Sequence, residues 1–71
     1  MTPKAFSDAL ERLGVPKQKE AAAFLRVAQS KVSDYRSGKR TVPGYIEAGL
    51  QAHLLLSPEQ LATLRQLRGV D

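Results

Sequence analysis

A chain of 71 residues without cysteine holds at most one small domain, and it excludes both a disulfide framework and a thiolate metal site. Its formal net charge is +4, and its composition is that of a globular protein rather than a disordered one. No apolar run approaches the ~20 residues of a membrane span, and no signal-peptide pattern opens the chain. We therefore expect a cytoplasmic protein that does not enter the membrane.

The first two of five predicted helices occupy residues 2–25. Thr2 and Pro3 form a start signal, a capping residue followed by proline, and Gly14 ends the first helix. A second helix follows Pro16 and runs from Lys17 to Leu25. Apolar residues at three- and four-residue spacing predict the inward faces. They are Phe6, Ala9, Leu10 and Leu13 on the first helix, and Ala21, Ala22 and Leu25 on the second.

Three more helices are predicted after residue 28, and no strand pattern is present. The third runs from about Gln29 to Ser37 and ends at Gly38. The fourth begins at Pro43 after a basic loop. Ser57 to Gln60 is a capping box with proline at its first helical position, and Gly69 ends the fifth helix. The predicted inward residues of the fourth helix are Ile46, Leu50 and Leu54, and Leu61, Leu64 and Leu67 or Arg68 follow at regular spacing on the fifth.

The positive charge is confined to one segment. From Lys17 to Arg40 there are seven bases and two acids, a balance of +5, whereas the other residues have four bases and five acids, a balance of −1. Such confinement is typical of a protein with a polyanionic partner. A basic face that contacts only solvent would explain the charge but not its confinement.

Residues 18–39 have the spacing of two helices packed across a tight turn. Ala22 is a small residue at the predicted helix crossing, and Leu25 and Val27 flank the turn. Val32 and Tyr35 lie three residues apart, so they share the inner face of the third helix. The opposite face is polar and is flanked by two bases placed to reach phosphates. Its polar residues are Gln29, Ser30, Ser33 and Ser37, and the bases are Lys31 and Arg36.

This pattern suits the major groove of B-DNA, which admits one α-helix whose first residues meet the base edges. Gln29 opens the third helix, where its amide can bridge adenine N6 and N7. Gln18 opens the second helix, where its amide and the free backbone N–H groups can hold a phosphate oxygen.

The segment Gln18–Pro43 resembles, without gaps, the Cro/C1-type helix-turn-helix family of phage repressors, Cro proteins, bacterial regulators and antitoxins. The resemblance includes Ser37-Gly38-Lys39-Arg40, and the flanking helices match the same five-helix plan. It implies an all-α, lambda-repressor-like domain over residues 1–71 with a recognition helix at about 29–37. The implied base contacts are Gln29, Ser30 and Ser33, and the implied DNA-backbone contacts include Gln18, Ser37, Lys39 and Arg40.

Two residues depart from the family pattern. Arg26 occupies the turn position that is normally glycine, and a left-handed conformation there would cost roughly 1 kcal/mol. Ala28 occupies the cap of the third helix, where serine or threonine is favoured by ~1 kcal/mol. Both predict an altered turn or a weakened recognition helix.

Four further residues have a structural and a functional interpretation. Phe24 lies where the second helix normally faces solvent, so we expect packing against the N-terminal segment or a neighbouring helix, with a partner contact as the alternative. Tyr35 is expected in the core rather than on a phosphate. Asp34 is expected at the surface rather than on cytosine N4. His53 has no companion ligands, and we predict neither a metal site, nor a cofactor, nor an enzyme.

Leu54, Leu55 and Leu56 cannot all point into one small core. We expect a homodimer through residues 53–68, with Leu54, Leu55, Leu56, Leu61 and Leu64 at the interface, bound to a palindromic operator. The expected function is a double-stranded DNA-binding repressor from a phage or other mobile element. Two alternatives stay open: a helical protein-interaction module, and an antitoxin or anti-CRISPR-associated autoregulator with the same fold.

Overall fold

A computed structural model describes residues 1–70, and within this range the chain forms five helices and no strand. The prediction of an all-α fold with five helices is confirmed. The second and fourth helices begin one residue later than predicted, because Lys17 and Pro43 are extended N-cap residues. The helices are α1 (Pro3–Arg12), α2 (Gln18–Leu25), α3 (Gln29–Ser37), α4 (Gly44–Leu54) and α5 (Pro58–Leu67). In the described range, no helix is long and apolar enough to cross a membrane.

Side-chain caps begin the first and last helices, as predicted. The Thr2 hydroxyl accepts a hydrogen bond from the Ala5 amide at 3.1 Å. Ser57 accepts from the Gln60 amide, and the Gln60 side chain accepts from the Ser57 amide, which completes the capping box. These bonds satisfy N–H groups that a helix start leaves unpaired.

The core lies where α1, α2 and α3 meet, and α4 covers one side of it. Phe6 of α1 packs edge-to-face against Tyr35 of α3, with ring centroids 5.5 Å apart. Tyr35 is therefore a core residue, as expected. Leu25 and Leu54, predicted to face inward, are only half-buried because they lie at the ends of their helices. The buried apolar residues of the helices are Phe6, Ala9, Leu10, Ala21, Ala22, Phe24, Val32, Tyr35, Ile46, Leu50 and Leu61.

The turn between α2 and α3 contains the two unfavourable residues that the sequence indicates. Arg26 adopts φ 59° and ψ 42°, the left-handed conformation, at a cost of about 1 kcal/mol for a residue with a Cβ. Ala28 is the extended N-cap of α3, and its side chain supplies no cap. The turn keeps its tight geometry despite both residues, so the surrounding packing compensates for their cost.

Arginine side chains attach α5 to the rest of the fold. Arg65 donates from Nη1 to the Leu13 carbonyl at 2.9 Å, and Arg68 donates from Nη1 to the Phe24 carbonyl at 2.7 Å. The Arg68 guanidinium also lies 4.9 Å from the centroid of the Phe24 ring, a cation–π geometry. Both arginines bind carbonyls near the ends of other helices, where such groups lack helical partners.

Phe24 is fully buried, so the expectation of packing holds and the alternative of a partner contact is wrong. Its ring meets the His53 ring edge-to-face at a centroid distance of 5.2 Å. The residues that cover Phe24 are His53 of α4 and Arg68, which follows α5. The sequence of α2 alone does not indicate either contact.

The neighbours of His53 disfavour the protonated form of its ring. Burial lowers the pKa of His53 below its ordinary value of 6.5, and the positive charge of Arg68 lowers it further. Arg68 Nη2 lies 3.5 Å from His53 Nε2. The other nitrogen, Nδ1, is buried without a partner in the described part of the chain.

We predict that acid weakens this packing. Because the folded pKa is lowered, the unfolded chain binds the proton more readily, and the free energy of unfolding should fall as the pH drops below about 6.5. Urea unfolding at several values from about pH 7.5 to 5.5 measures the slope. His53→Gln should flatten it, and equal slopes for the variant and the wild type would contradict the prediction.

Candidate nucleic-acid interface

The structure anchors α3 by one face and exposes the other. Val32 and Tyr35 are buried against α1 and α2, as predicted. Gln29, Ser30 and Ser33, the predicted base-reading residues, are all exposed. Ser30 and Ser33 have short side chains, and the longer amide of Gln29 lies at the start of the helix. Another surface can therefore approach this face closely.

The loop after α3 folds back onto the end of that helix. Ser37 Oγ donates to the Asp34 carbonyl at 3.3 Å and accepts from the Lys39 amide at 3.4 Å. The Arg40 amide donates to the same carbonyl at 3.2 Å, and Arg40 Nε lies 3.5 Å from Asp34 Oδ2. Asp34 thus holds the loop through its carbonyl and its carboxylate. This role accounts for an acidic residue at position 34 without a contact to a DNA base. The exposed side chain of Lys39 is left beside α3.

Arg36 joins the end of α3 to the segment before α2. Its Nη1 donates to the Pro16 carbonyl at 2.7 Å, while most of the side chain stays exposed. Gln18, half-buried, begins α2 two residues after that carbonyl. The contact therefore brings the predicted phosphate contacts Gln18 and Arg36 to neighbouring parts of the surface. Lys31 is exposed near the start of α3.

The starts of α2, α3 and α4 lack the side-chain caps seen on α1 and α5. Their N-cap residues are Lys17, Ala28 and Pro43, none of which makes a side-chain cap bond in the described structure. Free N–H groups at a helix start carry partial positive charge and donate hydrogen bonds to anions. Together with the exposed bases, these helix starts are chemically suited to phosphate groups.

The tertiary contacts sharpen the charge asymmetry found in the sequence. Outside residues 17–40, Arg65 and Arg68 bind backbone carbonyls, and Lys4 pairs with Asp8 at 2.9 Å. Within that segment and among the described residues, Arg40 lies within ion-pair distance of a carboxylate and Arg36 binds a backbone carbonyl, whereas no such bond is present for the other five bases. Most cations free to attract an anion thus belong to one segment.

The leucines around α5 divide between core and surface. Leu61, grouped by sequence with the interface, lies in the core instead, because it points toward the rest of the domain. Leu54, Leu56 and Leu64 are half-buried against the core, whereas Leu55 is 88% exposed. Leu67, near the end of α5, is 72% exposed. A shallow groove of about 410 Å³ runs along this side, which we call the α5 groove; it is lined by Leu56, Glu59, Gln60, Thr63, Leu64 and Leu67.

The described residues contain no group of three or more His, Cys, Asp or Glu side chains placed to hold a metal ion. Comparison of the chain with protein-family models, with curated proteins and with solved structures finds no match. The function of this protein is therefore inferred from its own residues and contacts.

Proposed function

We propose that this protein is a sequence-specific, double-stranded DNA-binding repressor with a lambda-repressor-like helix-turn-helix fold of the Cro/C1 type. One observation carries the proposal. A helix held by Val32 and Tyr35 exposes a polar face, and this helix lies within the segment 17–40, which has a balance of +5 charges. A groove-reading helix with flanking phosphate contacts requires this combination.

In this proposal one set of residues binds DNA phosphates and another set contacts the bases. Phosphates are bound by Gln18, Lys31, Arg36, Ser37, Lys39 and Arg40, and by the N–H groups at the starts of α2 and α4. These contacts position the protein but carry no sequence information. Bases are read by Gln29, Ser30 and Ser33. Repression is steric: the bound protein, in the cytoplasm, covers a promoter, and no catalytic step is involved.

Gln29→Ala should relax the sequence preference. Loss of a bidentate contact to adenine removes about 1–3 kcal/mol of discrimination, so affinity for the selected operator should fall roughly tenfold or more while affinity for random duplex is unchanged. Selection from random duplexes supplies the operator, and fluorescence anisotropy measures both affinities. Gln51→Ala, an exposed glutamine on α4, is the control. Equal losses on both DNAs would refute the assignment of Gln29 to base reading.

We propose further that the protein dimerises through the α5 groove and the adjoining leucines. Leu55 and Leu67 expose apolar area that a monomer leaves in water, and a partner copy would cover it. A two-fold dimer presents two α3 helices about 34 Å apart, one turn of DNA, and so selects a palindrome.

The dimer has its own test. In sedimentation experiments at micromolar concentration the wild type should be a dimer and Leu55→Gln/Leu67→Gln a monomer. Because both leucines are exposed, the variant should keep the folded helical content of the wild type. Tyr45→Gln, which alters an exposed aromatic residue elsewhere, should stay dimeric. A monomeric wild type would remove this part of the proposal.

The α5 groove also favours a second candidate, a helical protein-interaction module that binds another protein there. Binding to random duplexes decides between the two. Salt-sensitive binding with a recovered palindrome supports the repressor, and absence of DNA binding supports the module. An antitoxin or anti-CRISPR-associated autoregulator would use the same DNA interface, and the genes beside its own would identify it.

A further inference from the structure

A second cavity lies away from the α5 groove, between the α2–α3 turn and α4. Its volume is about 560 Å³, within the range of small-molecule sites in proteins. Its lining includes the exposed side chains of Arg26, Lys31 and Tyr45, and the more buried side chains of Ile46, His53 and Arg68. We call it the turn pocket.

The turn pocket combines positive charge with apolar wall. Arg26, Lys31 and Arg68 bring three cations, and none of the described residues that line it is acidic. Neither Arg26 nor Lys31 has an ion-pair partner in the described range. Ile46 supplies apolar surface on the same wall of the cavity. This lining suits an anion that carries an apolar group, since the charges of Arg26 and Lys31 have no acidic partner among the described residues and an apolar side chain lies beside them.

Two residues of the lining, Arg26 and Gly49, are unfavourable for the backbone conformation that they adopt. Arg26 has a left-handed backbone, which glycine would adopt without strain, but glycine would remove the guanidinium from the pocket. Gly49 lies in the middle of α4, where alanine would favour the helix. A Cβ on Gly49 would meet no atom within 4 Å, so packing does not require the glycine. Each residue disfavours the fold locally, yet each keeps the pocket charged or open.

We propose that the turn pocket binds a small amphiphilic anion, a carboxylate or phosphate ester on an apolar group, between Arg26, Lys31 and the wall of α4. The charged head accepts hydrogen bonds from the guanidinium and ammonium groups. The apolar part lies against Ile46 in the space that Gly49 leaves open. The site shares Lys31 with the proposed DNA interface but does not depend on it, and it binds in the absence of DNA.

The test uses 2-naphthoate as the probe and the full-length, nitrogen-15-labelled protein without DNA. Amide shifts during titration should saturate and should centre on Arg26, Lys31, Gly49 and His53. The neutral analogue 2-naphthalenemethanol should bind at least about tenfold more weakly, because it lacks the charged head. Failure of 2-naphthoate to saturate, or shifts spread evenly over the basic segment 17–40, would overturn the proposal.

Two variants separate binding from stability. Gly49→Leu should occupy the space beside Ile46 and weaken 2-naphthoate at least about tenfold, while the melting temperature stays the same or rises; Gly49→Met, with a more flexible side chain, serves if leucine impairs folding. Arg26→Gly should raise the melting temperature by about 4–8 °C and weaken 2-naphthoate about tenfold. Arg12→Gln, which alters an exposed base outside the pocket, should change neither quantity. Wild-type affinity in either Gly49→Leu or Arg26→Gly would refute the site.

Because binding is measured without DNA, the two proposals fail independently. Loss of all DNA affinity would leave the probe titration unaffected, and a protein that binds its operator but not 2-naphthoate would retain the repressor function alone.

Discussion

Phe24→Ala should lower the free energy of unfolding by about 3–5 kcal/mol, the range for deletion of a fully buried aromatic ring. The ring fills the space between α2, His53 and Arg68, and its loss removes both the edge-to-face contact and the cation–π contact. A domain of this size has a total stability of about 4–10 kcal/mol. The variant should therefore lose between about a third and all of the stability of the wild type, which urea titration followed by circular dichroism measures.

Two controls give this prediction its specificity. Phe24→Leu keeps most of the volume and should cost less than about 2 kcal/mol. Tyr45→Ala removes an aromatic ring that is 71% exposed, and its effect should stay within about 0.5 kcal/mol. A loss below 1 kcal/mol for Phe24→Ala would show that the segment after α5 does not pack on α2 in solution.

Lys39→Gln/Arg40→Gln should weaken the proposed DNA binding on the order of 50-fold at ~0.1 M salt, and equally for operator and random duplex. Each lost phosphate contact removes about 0.9 from the slope of log K against log salt, so the double variant should lose about 1.8. Anisotropy titrations at several salt concentrations measure both quantities.

The matched control is Lys4→Gln/Arg12→Gln, which removes the same net charge from exposed positions on α1. It should retain most of the affinity and the full salt slope, because those bases lie outside segment 17–40. If the two double variants lose affinity equally, net charge and not a defined interface accounts for the binding. Folded helical content, checked by circular dichroism, excludes loss of structure in either protein.

Local sequence rules predicted the helices well because the interactions that start and orient each helix join residues only three or four positions apart. Thr2 and the Ser57–Gln60 box start helices through hydrogen bonds that span three residues. Val32 and Tyr35 are buried because residues three apart share one helix face. The same rules placed Gln29, Ser30 and Ser33 on the exposed face, whereas the left-handed conformation of Arg26 was expected only from the resemblance to a pattern with glycine at that position.

Contacts between distant residues were beyond these rules. The sequence left open whether the N-terminal segment or a neighbouring helix covers Phe24, and it assigned Leu61 to an interface. In the structure, Phe24 packs on His53 and Arg68, and Leu61 lies in the core. The bond from Arg68 to Phe24 spans 44 residues, and that from Arg65 to Leu13 spans 52. No periodicity within one helix encodes such a pairing, because it depends on how the helices pack.

The sequence by itself thus determined the five helices, the buried and exposed faces of α3, and the confinement of positive charge to residues 17–40. Spacing, capping and composition specify these features through interactions within a few residues. Only the tertiary structure decided which bases bind carbonyls and which stay free, which leucines remain exposed, and that Arg26 and Gly49 line one pocket. Those outcomes depend on side chains from several helices competing for the same space, and packing resolves that competition.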